Sequence, residues 1–593
     1  MRNACYLVFL IAFTSSVTSQ DITYEISFEN AVHHEAHIKA SFSNLKEDTL
    51  TVRMSRTSPG RYALHEFAKN VYDFDAVDGK GSSLQIIRPN NHEWQILGHD
   101  GTININYTLF ANRGDGTYAQ IDETHAHLNI PATFMFAPSL SKMPLKVKFK
   151  IRKDLNWKVA TQLPLISGTT YSAPNLQYFM DSPTEISDFS LREFEVGSQK
   201  VQIALHHNGT EQEMDTYFEK VKKVVLTQKE VYNELPKFDY GTYVFLACYV
   251  PNVSGDGMEH RNSTVLTSTR SLANGGIERN IGTVSHEFFH AWNVERIRPK
   301  SLEPFDFEAA NMSGELWFAE GFTSYYTNLI LCRAGLITPK AYIEGLEAGF
   351  NYVWNAAGRN FFNPIEMSYQ APFVDAARSV DPVNRDNTFI SYYSYGSVLG
   401  LALDLSLRQK DLNLDGYMQL VWERFGKNET PYTVNDLNES LNDYAGKAFG
   451  DSFFKAYIHN SDMPNYKALF KSVGVTLEQD IGAPFFGASV GITEEGKAII
   501  QRNTTMHRAA YKAGLEKGDV ISSINGLGFE HGQKFANLIQ TYEVGEVLEI
   551  NFTRYGQEKK TTVTLGSSPS YKISLNPEAT NEMLDKRNAW LQK

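Results

Sequence analysis

Nine residues, Val284-Ser-His-Glu-Phe-Phe-His-Ala-Trp292, constrain this chain more than any other stretch. His286 and His290 stand four apart in an apolar run, and no proline falls between Pro251 and Pro299. On a helix, residues four apart lie one turn above each other on one face, so both imidazoles can reach one metal ion. Glu287 follows the first histidine by one position, about 100° around the axis, beside the metal without filling a coordination place. Two neutral nitrogen ligands, an open position and an adjacent carboxylate base are what activation of a water molecule requires. The plainer alternative is an amphipathic helix carrying two half-buried histidines.

A hydrolytic zinc site takes a third protein ligand, commonly a carboxylate. Glu295, Glu303, Glu308, Glu315 and Glu320 all follow within reach. Glu295 is expected on the same helix, five residues past His290, and so off the metal face. Glu303 and Glu308 fall in a loop interrupted by Pro299 and Pro304. Glu320 sits in Glu315-Leu-Trp-Phe-Ala-Glu-Gly-Phe-Thr-Ser-Tyr-Tyr326, an apolar run that reads as a helix to about Leu331. A carboxylate in such surroundings is costly unless it is paired or bound to a metal. Glu320 is the expected third ligand.

These stretches resemble the glycyl aminopeptidase family of zinc metallopeptidases. The resemblance is carried by His286-Glu-Phe-Phe-His-Ala-Trp-Asn-Val-Glu-Arg-Ile-Arg-Pro299, Leu316-Trp-Phe-Ala-Glu-Gly-Phe-Thr-Ser-Tyr-Tyr326, Gly257-Met-Glu-His260 and Ile390-Ser-Tyr-Tyr-Ser-Tyr-Gly396. It implies a thermolysin-like catalytic domain and an appended PDZ domain. It also implies one Zn2+ per chain on His286, His290 and Glu320, with Glu287 as general base. Gly257-Met-Glu-His260 is similar to the exopeptidase motif of related aminopeptidases. That similarity implies substrate binding at Gly257 and Met258, with Glu259 holding the free amine. An ammonium in a closing site needs a fixed anion, which also sets the distance from N-terminus to metal. Tyr393 of Tyr393-Ser-Tyr-Gly396 takes the oxyanion role by the same route. Where such enzymes usually carry a lysine before the glycine, this sequence has Tyr395, and Tyr392 is a second adjacent phenol.

The chain has 593 residues, enough for several domains, with a net charge of −12. It has no basic run, which argues against nucleic acid or an anionic membrane as a partner. Met1-Arg2, then Tyr6-Leu-Val-Phe-Leu-Ile-Ala-Phe13 and the small residues Val17-Thr-Ser19, read as a signal peptide over 1–19. An exported protein, periplasmic or secreted and with no membrane span, is expected. Cys248 and Cys332 lie in apolar runs and read as buried free thiols.

Alternating strands such as Ile103-Asn-Ile-Asn-Tyr-Thr-Leu109 and Leu145-Lys-Val-Lys-Phe-Lys-Ile151, with turn signals between them, predict an N-terminal β-sandwich over 20–182. Within it, His125 and His127 share one strand face, but no third ligand is evident, and a structural role is expected. The catalytic domain is assigned to 183–337. It has a long helix from Glu211 to Leu235, a buried strand Gly241–Val250, and Arg261–Thr269 as the sheet edge lining the cleft. Residues 338–471 read as a helical domain, with one helix from Thr388 to Lys410. Asp411-Leu-Asn-Leu-Asp-Gly416 opens like a calcium loop, but Trp422 stands where the twelfth-position glutamate belongs. The segment Ala509–Gly526 is similar to protease-associated PDZ domains, assigned to 475–566. Its carboxylate loop is expected at Phe485, Phe486 and Gly487, not at the look-alike Gly526-Leu-Gly-Phe529. A polar tail, 567–593, is expected to carry a short helix near Asn581 to Leu591.

The fold expected is therefore multidomain α+β. The activity expected is removal of small N-terminal residues, glycine and alanine, from peptides with a free N-terminus; that preference is implied by the resemblance alone. Two alternatives fit the same motifs: an endopeptidase whose PDZ domain delivers substrates by their C-termini, and a non-catalytic peptide-binding protein with a structural zinc.

Overall fold

The computed structural model describes residues 21–374, 383–530 and 533–592. The expected signal peptide lies outside the described residues. The N-terminal part is β-rich. A seven-stranded sheet runs from Leu165–Ser167 through Thr170–Ala173, Leu145–Lys150, Asp21–Ser27, Glu35–Ser43 and Ile103–Phe110 to Val71–Asp78. The strict alternation of Leu145–Lys150 and Ile103–Phe110 turns one face inward. That face shares a core with a three-stranded sheet, through Ile38, Phe42, Val52, Trp94, Ile105 and Phe149. A third, four-stranded sheet contains His125–Leu128 and Thr184–Ser187. It packs onto the next part of the chain, where Ala160 meets Val244 and Leu246.

That next part is a five-stranded sheet ordered Ser190–Val196, Gln199–His207, Thr242–Tyr249, Ser263–Thr267, Asp256–His260. The middle three strands are parallel. A parallel pair needs a crossover, and the helix Glu211–Tyr232 supplies it, started by a Thr210/Glu213 capping box. Its buried stripe is Met214, Tyr217, Val221, Val224, Val225, Gln228 and Val231. The sheet edge differs from expectation. A tight hairpin between His260 and Ser263 folds Asp256–His260 outside Ser263–Thr267, so the Gly257-Met-Glu motif is itself the edge strand.

Three further expectations are corrected. The motif helix spans only Ile281–Phe289, so Glu295 is not on it. The apolar run after Glu315 divides at Glu320 into Leu316–Ala319 and Gly321–Arg333. The helix expected from Thr388 starts at Tyr392 and ends at Arg408, because Ile390 and Ser391 donate their N–H groups to Met367 and Tyr352 instead. Asp404 and Arg408 pair at 3.0 Å. Asp415 of the calcium-like stretch is committed to a buried ion pair with Arg333 at 2.9 Å.

The helical C-terminal part shares one large core with the central sheet. A second five-stranded sheet, from Val490–Ile492 to Gln557–Thr564, has its own small core around Phe486, Ile500, Ile521 and Ile550. The tail then turns back. Tyr571–Leu575 pairs with Val475–Gln479, and the helix Asn581–Leu591 buries Trp590 and Leu591 in the large core. Trp590 donates its indole N–H to the Tyr325 hydroxyl at 2.9 Å. The tail is thus part of the catalytic body's packing. Cys248 and Cys332 are free and buried. No helix among the described residues is long and apolar enough to cross a membrane.

Candidate functional site

The motif helix buries Val284, Phe288 and Phe289. Phe288 packs edge-on against Tyr243, and Phe289 stacks on Tyr326. With that face fixed to sheet and helix, His286 and His290 emerge on the opposite side. The helix stops after Phe289 without glycine or proline. Asn293, fully buried, donates its amide to the carbonyls of Phe318 and Ala319, both at 3.1 Å. This side chain ties the end of the first motif to the start of the second, and so brings Glu320 beside the histidines.

His286 Nε2 lies 3.2 Å from His290 Nε2, His290 Nε2 lies 3.2 Å from Glu320 Oε2, and His286 Nε2 lies 3.6 Å from the same oxygen. Three donors held by one tetrahedral zinc, at about 2.0 Å each, stand roughly 3.3 Å apart. The outward atoms fix the tautomers. His290 Nδ1 donates to the Asn293 carbonyl at 2.6 Å. The Thr327 hydroxyl donates to the Thr323 carbonyl, so it accepts from His286 Nδ1 at 3.1 Å. Both Nε2 lone pairs therefore face inward. Glu320 Oε1 accepts from the Tyr62 hydroxyl at 2.8 Å, while Oε2 is buried with no hydrogen-bond partner. An orphaned carboxylate oxygen facing two bare nitrogens fits a divalent cation.

The charge balance points the same way. Burial pushes the His290 ring toward neutrality, but the Glu320, Glu259 and Glu287 carboxylates outweigh it and hold it up to about 10. Burial raises Glu320 too, yet His290 and His286 keep it well below the usual carboxylate range. Glu287 is pushed well up, first by burial and then by Glu259 and Glu320, against the pull of His290. Glu259 is raised by burial and by Glu320, with His290 opposing. Three carboxylates around so little positive charge leave room for a cation.

Glu259, Glu287 and His290 have ligand atoms within 4.8 Å of one another, so the edge strand brings Glu259 to the same hollow. Gly257 is there for space: a Cβ on it would overlap the Glu287 carboxylate. Met258 is buried against Gly60 and Gly116 of the N-terminal part. Of the three phenols, Tyr395 is fully buried away from the histidines, near Arg359 and Ser461. Tyr392 packs edge-on against Tyr62. Tyr393 stacks on Tyr392 and lies 5.9 Å, ring to ring, from His286. Gly396 explains the helix's approach: a Cβ there would overlap the Trp317 carbonyl and the Gly321 Cα.

The loop expected to hold a carboxylate stands apart from these residues. Pro484–Phe485 pairs with Gly566–Ser567, and Phe486 is buried edge-on against Phe535. Gly487 has φ +85° and packs on Arg508 and Ala509. Beside it opens a cleft of ≈ 700 Å³, shared with Asn351, Asn355, Arg385 and Phe389.

Tyr62, Gly60 and Asn293 were not singled out from sequence. Asn293 lies in the quoted zinc block and carried a signal. Gly60 (φ +75°) crowds both oxygens of Glu259, and neighbouring Arg61 is ion-paired to Asp256 of the edge strand. The stretch around 60–62 thus closes over the site from another part of the chain.

A donor triad shaped for a cation, with a buried carboxylate alongside, defines a class: the metal-dependent hydrolases. Comparison with known proteins narrows it. Residues 23–188 match the family model of the peptidase M61 N-terminal domain, and residues 279–399 match that of M61 glycyl aminopeptidase. The chain belongs to this family of peptidases. It is similar along its length to the crystal structure of an aminopeptidase N family protein from Idiomarina loihiensis. That match has 25% identity and a TM-score of 0.84, covering 96% of this chain and 100% of that one. An HtrA-type protease solved with a decapeptide matches 15% of this chain and 30% of its own, at 22% identity and a TM-score of 0.14, which carries no argument. Among curated proteins, no match is found.

Proposed function

We propose that the protein is an exported zinc aminopeptidase that removes small N-terminal residues, glycine and alanine, from peptides. The observation that carries this reading is the inward-facing triad of His286 Nε2, His290 Nε2 and Glu320 Oε2, with Glu287 beside it. Zinc in such a site supplies Lewis acidity, polarising the scissile carbonyl and making water acidic enough to lose a proton near neutral pH. His286, His290 and Glu320 hold it. Glu287 takes a proton from the attacking water and delivers it to the leaving amine nitrogen. The Tyr393 phenol donates a hydrogen bond to the oxyanion that develops on the carbonyl. Glu259 pairs with the substrate ammonium and fixes attack at the first peptide bond. A thermolysin-like architecture over 183–337 is supported by the edge strand lying beside the motif helix, where an extended substrate can add to the sheet.

For the C-terminal sheet unit we propose a PDZ domain. Its edge strand Val490–Ile492 follows Phe485–Gly487 and lies alongside the helix Phe535–Ile539. Such an arrangement suits capture of a peptide C-terminus by strand addition.

The assignment is tested with matched peptides, free and N-acetylated. Acetylation removes the charge that Glu259 binds, so blocked peptides are expected to be poor substrates. Glu259→Ala should weaken hydrolysis of free peptides by about thirty- to a hundredfold, the worth of one charge-assisted bond of about 2–3 kcal/mol. Wild type cleaving both peptides equally fast would make the enzyme an endopeptidase.

A further inference from the structure

His125 and His127 do not form a metal pair with each other. His127 is committed to Glu185 at 3.0 Å and to the Asp115 carbonyl at 3.1 Å. His125 instead reaches across the seam between the N-terminal part and the central sheet. There it meets His206 and Cys248, paired neighbours on adjacent parallel strands. One ligand atom from each of the three lies within 4.8 Å of the others. All three side chains are buried, His125 and Cys248 completely.

The hydrogen atoms around His125 do not add up without something further. The Thr124 hydroxyl donates to Asp122 at 2.6 Å, so it has no proton left for His125 Nδ1, 2.9 Å away. Nδ1 must therefore be the protonated nitrogen, and Nε2 carries the bare lone pair. That lone pair faces Gln120 Oε1 at 3.2 Å. The Gln120 amide cannot be turned round, because its NH2 donates to the Asn252 carbonyl at 2.9 Å. Two acceptors then face each other in a dry interior, a costly arrangement. A second proton on His125 would relieve it. Burial, however, holds that ring down to about 4 even with Glu185 and Asp122 near.

We propose that a thiolate-binding divalent cation, zinc by the chemistry of the donors, occupies this point, held by His125, His206, Cys248 and the Gln120 side-chain oxygen. The 3.2 Å from His125 Nε2 to Gln120 Oε1 and the 3.3 Å from His206 Nδ1 to Cys248 Sγ match tetrahedral edges of roughly 3.3–3.5 Å for Zn–N, Zn–O and Zn–S bonds of about 2.0–2.3 Å. Binding displaces the Cys248 proton, leaving a thiolate neutralised by the cation. Two ligands come from the N-terminal part (Gln120, His125) and two from the central sheet (His206, Cys248). The ion is a structural staple between them, with four protein donors and no open position.

The donors proposed for catalysis contain no sulfur, so cobalt substitution separates the two sites. The full chain loaded with Co2+ should show a near-ultraviolet thiolate-to-cobalt charge-transfer band. That band should persist in Glu320→Ala and vanish in Cys248→Ala. Metal analysis of the purified chain should give two zinc equivalents, falling to one in either variant. Absence of the band in the unaltered cobalt-loaded chain overturns the proposal and needs no variant to fold. So does a second equivalent that Cys248→Ala retains.

Discussion

Tyr62 shows how much of the site depends on a residue outside the motifs. Its hydroxyl donates to Glu320 Oε1 from 258 positions away, and the phenol is itself buried. A donor on the outer oxygen keeps the inner oxygen aimed at the histidines and fixes the carboxylate's rotation. Partners of this kind, when removed, typically weaken metal binding by about 10- to 100-fold. Tyr62→Phe should therefore lower zinc affinity by that order in a chelator competition, with the fold retained; unchanged affinity would reduce Tyr62 to packing. Tyr393 carries the complementary prediction. Its bond is made mainly in the transition state, so Tyr393→Phe should lower kcat by about a hundredfold with little change in KM. Should Tyr392→Phe do this instead, the oxyanion donor is the neighbouring phenol.

At the scale of elements, the helix Tyr392–Arg408 meets Gly321–Arg333 at a crossing of two glycines. A Cβ on Gly396 would run into the backbone of Trp317 and Gly321, which cannot step aside as a flexible side chain could. Gly396→Ala should cost about 1–3 kcal/mol as overpacking, seen as a lower Tm. It should also cut kcat, because Tyr393 moves with its helix. Gly345→Ala, on an exposed helix face with open space around it, is the control and should be neutral or slightly stabilising. The sequence made much of this level legible. HExxH spacing and a carboxylate in an apolar run were enough to expect the triad that folds together. It could not show where the motif helix ends, since Asn293 stops it through bonds to the backbone of a later segment. Nor could it show the edge strand, because either half of a hairpin can lie outermost. Gly60 and Tyr62 left no local signal: their meaning arises only when the N-terminal part closes over Glu259 and Glu320. The pairing of His125 with His206 and Cys248 is hidden for the same reason.

For the molecule as a whole, the site stands where separately folded parts meet. The N-terminal sheets keep their own core yet supply Tyr62 and Gly60. The central sheet and helices share one core that the C-terminal Trp590 completes. The hollow between them gathers Glu259, Glu287 and Glu320 around His290, a concentration of buried negative charge that a metal ion offsets. The central claim is that this hollow is a zinc site that does peptide hydrolysis. It is tested most directly by measuring zinc content together with hydrolysis of Gly- and Ala-arylamides, before and after chelation. Glu320→Ala and Glu287→Ala are compared alongside. The account predicts zinc-dependent hydrolysis in wild type. Glu320→Ala should lose the catalytic zinc and activity together, and Glu287→Ala should keep the zinc and lose activity. Hydrolysis that survives chelation, or full zinc content in Glu320→Ala, would contradict it.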